Sequence, residues 1–223
     1  MKPILFSIAA LLLGFQTSFA DWVITQKTSA EGESKEMTMK IKGDKARSDV
    51  STEMTIIVDG ASGQMTMLMH AQKTMMKMDA DSMKGMMAMA ASLVGGGKAA
   101  KPVPTGQKEK VGAWDTEIYT WSGNIGSGKF WVAKDFPQAA ALNAIQDKIM
   151  KAMGNPQAAF APASSDFPGI VVKSEMQIMG KTAVSETVSI VEQPLDDALF
   201  VVPAGYQEMK LPSLPAGLGG DKK

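Results

Sequence analysis

The sequence predicts an α+β fold: about nine antiparallel strands with two amphipathic helices set among them. Three observations predict it. Apolar and polar residues alternate with period two through much of residues 22–191, the mark of strands with one buried and one wet face. Two segments, 82–94 and 138–153, switch to helical spacing. Tight turn signals, Gly43-Asp44, Asp59-Gly60 and Gly180-Lys181, separate consecutive strands closely enough for hairpins.

In chain order, 22–28 is the first strand. Over 35–42, Met37, Met39 and Ile41 alternate with Glu36, Thr38, Lys40 and Lys42, which is the pattern of a half-buried antiparallel strand. Residues 45–50 form a short polar strand, and 53–58 a β-branched one closed by Asp59-Gly60. Residues 64–69 put Met65, Met67 and Met69 on one face, and 73–78 complete a meander.

The first helix, 82–94, carries Met83, Met86, Met87 and Val94 on one stripe, with Asp81 or Ser82 as N-cap and Gly95-Gly96-Gly97 as its stop. Residues 95–107, rich in Gly, Ala, Pro and Lys, read as a surface connection. Strands follow over 111–121 and 129–134, and 123–128 between them reads as a turn. The second helix, 138–153, aligns Leu142, Ile145, Ile149 and Met153 and ends at Gly154, before Pro156. Beyond a second loose connection, 154–168, strands occupy 170–179 and 182–191.

At the N-terminus, Lys2 precedes an apolar run over 4–15, and Ser18-Phe19-Ala20 has the small-x-small form of a signal-peptidase site. The expected organisation is a signal peptide, 1–20, a single domain, 21–211, and a disordered tail, 212–223, in a protein exported to a bacterial periplasm. A bilayer-spanning helix needs about 20 apolar residues, so no membrane span is expected after cleavage.

Composition removes whole classes of function. The 223 residues include no Cys and one His, which excludes thiolate nucleophiles, disulfide frameworks, Cys-ligated zinc and iron–sulfur clusters. The 23 basic and 23 acidic side chains balance, and nucleic-acid binding needs a basic excess. Catalytic spacings are equally scarce. Residues 123–128 hold no nucleophile elbow, Gly97-Lys98-Ala99 lacks the Ser or Thr of a phosphate loop, and Asp115 and Glu117 alternate on a strand face as ordinary surface acids do. The expectation is a protein that is not an enzyme.

Lys45-Ala46-Arg47-Ser48-Asp49, followed by residues 55–60, then Phe130-Trp131-Val132-Ala133-Lys134-Asp135-Phe136-Pro137, and finally residues 196–206 with Val202-Pro203-Ala204-Gly205-Tyr206 carry a resemblance. In these segments the chain resembles the periplasmic lipoprotein carriers of the LolA and LolB type and, within that superfamily, a secreted family of unknown function. The resemblance spans most of residues 22–211. It implies a strongly curved, unclosed antiparallel β half-barrel whose concave face is covered by helices. The chain differs from the carriers in using Met for much of the expected Leu, Ile and Val.

Ten of the 19 Met lie between Met65 and Met89. Met fills irregular cores, and Met-rich surfaces also suit variable apolar partners. The expected site is a Met-lined cavity for a hydrophobic small molecule or acyl chain, formed by Met37, Met39, Met54, Ile56, Met65, Met67, Met69, Met83, Met86 and Met87. Arg47, the single Arg, either pairs with Asp44, Asp49 or Glu53 or holds a polar head at the cavity mouth. No cofactor is expected on this reading. One alternative is a Cu(I) site drawn from Met67, Met69, His70, Met76 and Met78, because thioether sulfur selects soft ions. In a strand, however, His70 points away from Met65, Met67 and Met69. A second alternative is a structural envelope protein without a small ligand, and an envelope protein partner is compatible with any of the three. The aromatics Trp114, Tyr119, Trp121, Phe130 and Trp131 read as cross-strand packing.

Overall fold

In the computed structural model, the described residues are 21–83, 85, 100–123, 126–152, 161–178 and 180–209. The expected signal peptide, the tail and most of the helix expected over 82–94, with Met86 and Met87, lie outside them. Twelve strands form one open, curved sheet. They are β1 (Trp22–Ala30), β2 (Glu33–Lys42), β3 (Lys45–Asp49), β4 (Met54–Asp59), β5 (Gln64–Met69) and β6 (Thr74–Met78), then β7 (Val103–Val111), β8 (Trp114–Gly123), β9 (Gly126–Ala133), β10 (Ile170–Ile178), β11 (Lys181–Glu192) and β12 (Gln207–Glu208). Their spatial order is β12-β6-β5-β4-β3-β2-β1-β11-β10-β9-β8-β7. Every pairing is antiparallel except β12 on β6.

The count of about nine strands is corrected to twelve: β7 and the two-residue β12 lie outside the expected strands, and β9 begins before the expected 129. β7 falls mostly on the expected 95–107 connection. It is an edge strand, exposed at every residue but Val111, so it lacks the buried face that creates period-two alternation. Gly112, at φ 56°, turns the chain between β7 and β8, dividing what reads as one strand over 111–121. Gly126 to Gly128, expected in a turn, open β9. The two glycines let this stretch lie close against β10: a Cβ on Gly126 would lie 2.2 Å from the Gln177 carbonyl oxygen, and one on Gly128 2.5 Å from the Met176 sulfur.

Helix α1 (Ala139–Ala152) agrees with the expected 138–153. Its Ala-rich sequence favours the helix, and Lys151 in the last turn complements the dipole. Leu142, fully buried, and Ile149 join it to a core that contains Trp22, Ile24, Ile41, Ala46 and Val58 from one wing of the sheet and Val111, Ile118, Trp131 and Val172 from the other. Val58 on β4 and Val111 on β7 are eight strand spacings apart, about 38 Å in a flat sheet. Both belong to the chain of packed residues that includes Leu142 and Ile149 of α1, and the face of the sheet that carries them is termed the inner face.

Two further devices cover the outer face. At one wing Tyr119, Trp121, Phe130, Val132 and Phe167 form a second cluster, with the Phe130 and Phe167 ring centroids 5.0 Å apart. At the other, the strap of residues 193–209 runs back across β3 to β6, through a 3-10 turn at Asp197–Phe200, and ends as β12.

Candidate functional site

The inner face of the β2–β6 wing is a sheet of thioethers. The register places Met39 opposite Ser48, Ser48 opposite Ile56, Ile56 opposite Met67 and Met67 opposite Met76. The neighbouring row runs Ile41, Ala46, Val58, Met65, Met78. Met54 pairs with Met69, and Met37 pairs with Gln26 of β1. Because side chains alternate along each strand, Met37, Met39, Met54, Ile56, Met65, Met67 and Met69 share one face, together with Met76 and Met78. All but Met78 are only half-buried, and Met39, Ile56 and Met65 pack against the main core. Met83 is buried in the helical turn that begins at Ala80, its amide bonded to the Asp79 carbonyl.

Toward β1 and β11 the same face becomes polar without becoming charged. A narrow cleft of about 40 Å3 beneath α1 is lined by Gln26, Asn143, Gln146, Ser164 and Thr187 among apolar residues. The Gln26 amide donates to the Thr187 hydroxyl at 3.4 Å, and the buried Asn143 donates to the Gly169 carbonyl at 3.0 Å. Sequence patterning gives little sign of this cleft, since it joins a helix, three strands and the 3-10 turn at Ser164.

Arg47 is a correction. It lies on the outer face, because its neighbours Ala46 and Ser48 are the inner-facing residues of β3. Its Nε donates to Asp49 at 2.8 Å, and its two terminal nitrogens donate to the Leu199 carbonyl and the Thr55 hydroxyl at 3.0 and 3.4 Å. This is the expected ion pair with Asp49, and it leaves the guanidinium on the wrong side of the sheet to hold a head group over the Met face.

His70 is the second correction. It follows the last residue of β5 on the outer face, with Nε2 2.9 Å from the Thr55 hydroxyl and Nδ1 2.5 Å from the Tyr206 hydroxyl. Thr55 commits its single proton to Asp49 Oδ1 at 2.9 Å, so Nε2 donates to Thr55 and, in the neutral imidazole, Nδ1 accepts from Tyr206. Lys40 closes the network on the other carboxylate oxygen, at 2.5 Å. Burial pushes the Asp49 carboxyl upward, but the hydrogen bonds from Lys40, Thr55 and Arg47 outweigh it and hold the carboxyl below its ordinary range. Both ring nitrogens of His70 are therefore engaged, one sheet thickness away from Met67, Met69, Met76 and Met78. The five residues of the expected copper set do not meet at one point.

A wider recess lies elsewhere, about 560 Å3 at the β7–β9 wing, lined by Lys108, Glu109, Lys110, Asp115, Glu117 and Lys134 among others. Lys134 pairs with Glu117, and Lys110 approaches Asp115 at 3.7 Å, so its charges largely neutralise one another. No group of three His, Cys, Asp or Glu suited to a metal occurs among the described residues. Nor is any described helix long and apolar enough to cross a membrane.

Comparison with known proteins places this geometry in context. Among solved structures, the fold is similar to a LolA superfamily protein, NE2245, from Nitrosomonas europaea, at 11% identity and TM-score 0.34, covering 83% of this chain and 91% of that one. A DUF1329 family protein from Desulfovibrio piger is similar at 12% identity and TM-score 0.35, with the same coverage. PNGF-II matches at 13% identity and TM-score 0.42 over 87% of this chain, which spans 31% of the PNGF-II chain. No curated protein matches in sequence. Residues 22–206 match the profile of a domain of unknown function, DUF4412, and the chain belongs to that family.

Proposed function

We propose that the protein is a non-enzymatic binding protein for a single-chain lipid or acyl group, which lies along the inner face of β2–β6. The observation that carries this reading is the register: seven apolar side chains expected to line a cavity, Met37, Met39, Met54, Ile56, Met65, Met67 and Met69, stand on one face of β2, β4 and β5. Thioether side chains are flexible and polarizable, so such a face adapts to chains of different length and unsaturation. Each methylene removed from water contributes about 0.8 kcal/mol.

The uncharged cleft at Gln26, Asn143 and Thr187 suits a neutral head, such as an ester, amide or hydroxyl. With Arg47 on the outer face, a fatty-acid carboxylate would lack a cationic partner there. The reading includes export, supported by the leader pattern of residues 1–20 and by a chain without Cys, and the site of action is the periplasm.

The test is titration of the purified protein with a fluorescent acyl-chain probe. The double variant Met39→Gln/Met67→Gln is expected to weaken binding at least tenfold, while Met39→Leu/Met67→Leu retains it. Equal binding by both variants and the parent would refute the assignment of this face.

A further inference from the structure

The β5–β6 ladder carries a property that an acyl-binding face does not require. Met65 stands opposite Met78, and Met67 opposite Met76, so four thioethers occupy the corners of one small rectangle on the inner face. Directly opposed Cβ atoms lie about 4.5–5.5 Å apart, and the two pairs are separated by about 6.6 Å along the strands. The centre is then about 4 Å from each Cβ. Each sulfur is two bonds beyond its Cβ on an unbranched stem, so the four sulfurs can converge on one ion near that centre.

We propose that Met65, Met67, Met76 and Met78 form a binding site for a soft monovalent cation, Cu(I) or Ag(I). Four thioethers are neutral, so a bound monovalent ion leaves one net charge. A divalent ion would leave two in a half-buried apolar face, at a much greater desolvation cost. Thioether sulfur also discriminates against hard ions, which prefer carboxylate and carbonyl oxygen. No His, Asp or Glu shares the rectangle, because the intervening residues Thr66 and Lys77 point to the outer face and His70 is held there by Thr55 and Tyr206. The site differs from the mixed His and Met set read from the sequence: it omits His70 and Met69 and adds Met65. Binding needs no redox step, since the metal enters and leaves as the monovalent ion. The assignment rests on the strand register and not on acyl binding.

The experiment is anaerobic competition for Cu(I) between the full chain and a chromophoric Cu(I) chelator, repeated with Ag(I) as a redox-inert probe. The expected result is one ion per chain, at least a hundredfold loss of affinity in Met67→Leu/Met76→Leu, and unchanged affinity in both Met37→Leu/Met39→Leu and His70→Gln. X-ray absorption of the Cu(I) form should show sulfur scatterers only. Failure of the parent protein to compete, equal affinity in Met67→Leu/Met76→Leu, or a loss in His70→Gln would overturn the proposal. The Cu(I) competition is run without acyl ligand, and His70 lies on the outer face, away from the acyl-binding side chains, so His70→Gln should bind the acyl-chain probe as the parent does. The two readings therefore fail independently.

Discussion

The imidazole Nδ1 of His70 and the phenol of Tyr206, 136 positions apart in the chain, lie 2.5 Å from each other. This contact fastens the C-terminal strap to the outer face of the sheet. Either side of it, the Arg47 guanidinium donates to the Leu199 carbonyl, and the Gln207 and Met209 amides donate to Lys73 and Met75. The outer face of β3–β5 is thus occupied by the chain's own strap, while the inner face carries the methionines.

Tyr206→Phe removes the donor to His70 and leaves a ring nitrogen unpaired. Loss of one such hydrogen bond costs about 1–2 kcal/mol. Amide exchange at Gln207 and Met209 should accelerate by a similar free energy, while affinity for the acyl-chain probe stays the same. Unaltered exchange at both amides would show that the contact does not fasten the strap.

The Asp49 carboxylate accepts from Lys40, Arg47 and Thr55, and its depressed pKa makes it a source of acid sensitivity. A carboxyl whose folded pKa lies below its unfolded value stabilises the fold fully above the unfolded value and loses that contribution as pH falls through the folded one. Asp49→Asn is expected to lower stability at pH 7 by roughly 1–3 kcal/mol and to flatten the fall in stability below about pH 4. Denaturant melts across pH would check both, and parallel curves for the two proteins would remove Asp49 from the acid limb.

Gly169 sits so close to β9 that an added Cβ would lie 2.3 Å from the Ala133 carbonyl oxygen, and its own carbonyl accepts from Asn143 of α1. Gly169→Ala forces two backbones apart at the point where helix and sheet meet. The expected cost is about 1–3 kcal/mol, read as a lowered denaturation midpoint. Gly180→Ala is a different case, because open space surrounds that position and the strain comes only from its φ of 80°.

Lengthening the ligand tests the hydrophobic account quantitatively. Two extra methylenes add about 1.6 kcal/mol if fully buried, so affinity for neutral acyl chains should rise about tenfold per two carbons until the Met face is filled. Gln26→Leu should weaken the preference for a neutral polar head without altering this slope. Calorimetric titration with an acyl series measures both, and a flat dependence on length would place the ligand elsewhere.

Much of this was legible in the sequence, and the failures are local. The Met65, Met67, Met69 phase is readable because β5 has one apolar face, and the closeness of the hairpin turns predicts that its neighbours lie in register. β7 is not readable because an exposed edge strand containing Pro104 and Gly106 carries no alternation. The side on which Arg47 falls follows from the burial of Ala46, which a single Ala among polar residues does not announce. The partners of His70, Thr55 and Tyr206, come from β4 and the strap, and no local pattern encodes such a meeting. For the same reason the Gln26, Asn143 and Thr187 cleft becomes visible only once α1 is docked on the sheet.

Native mass spectrometry of the protein purified from its own cells reads the proposed acyl chain on the inner Met face without any added probe. A lipid-sized adduct is expected on the parent chain, lost in Met39→Gln/Met67→Gln and kept in the corresponding Leu variant. A parent chain at its bare mass, unable to take up acyl chains when they are supplied, would contradict the proposal.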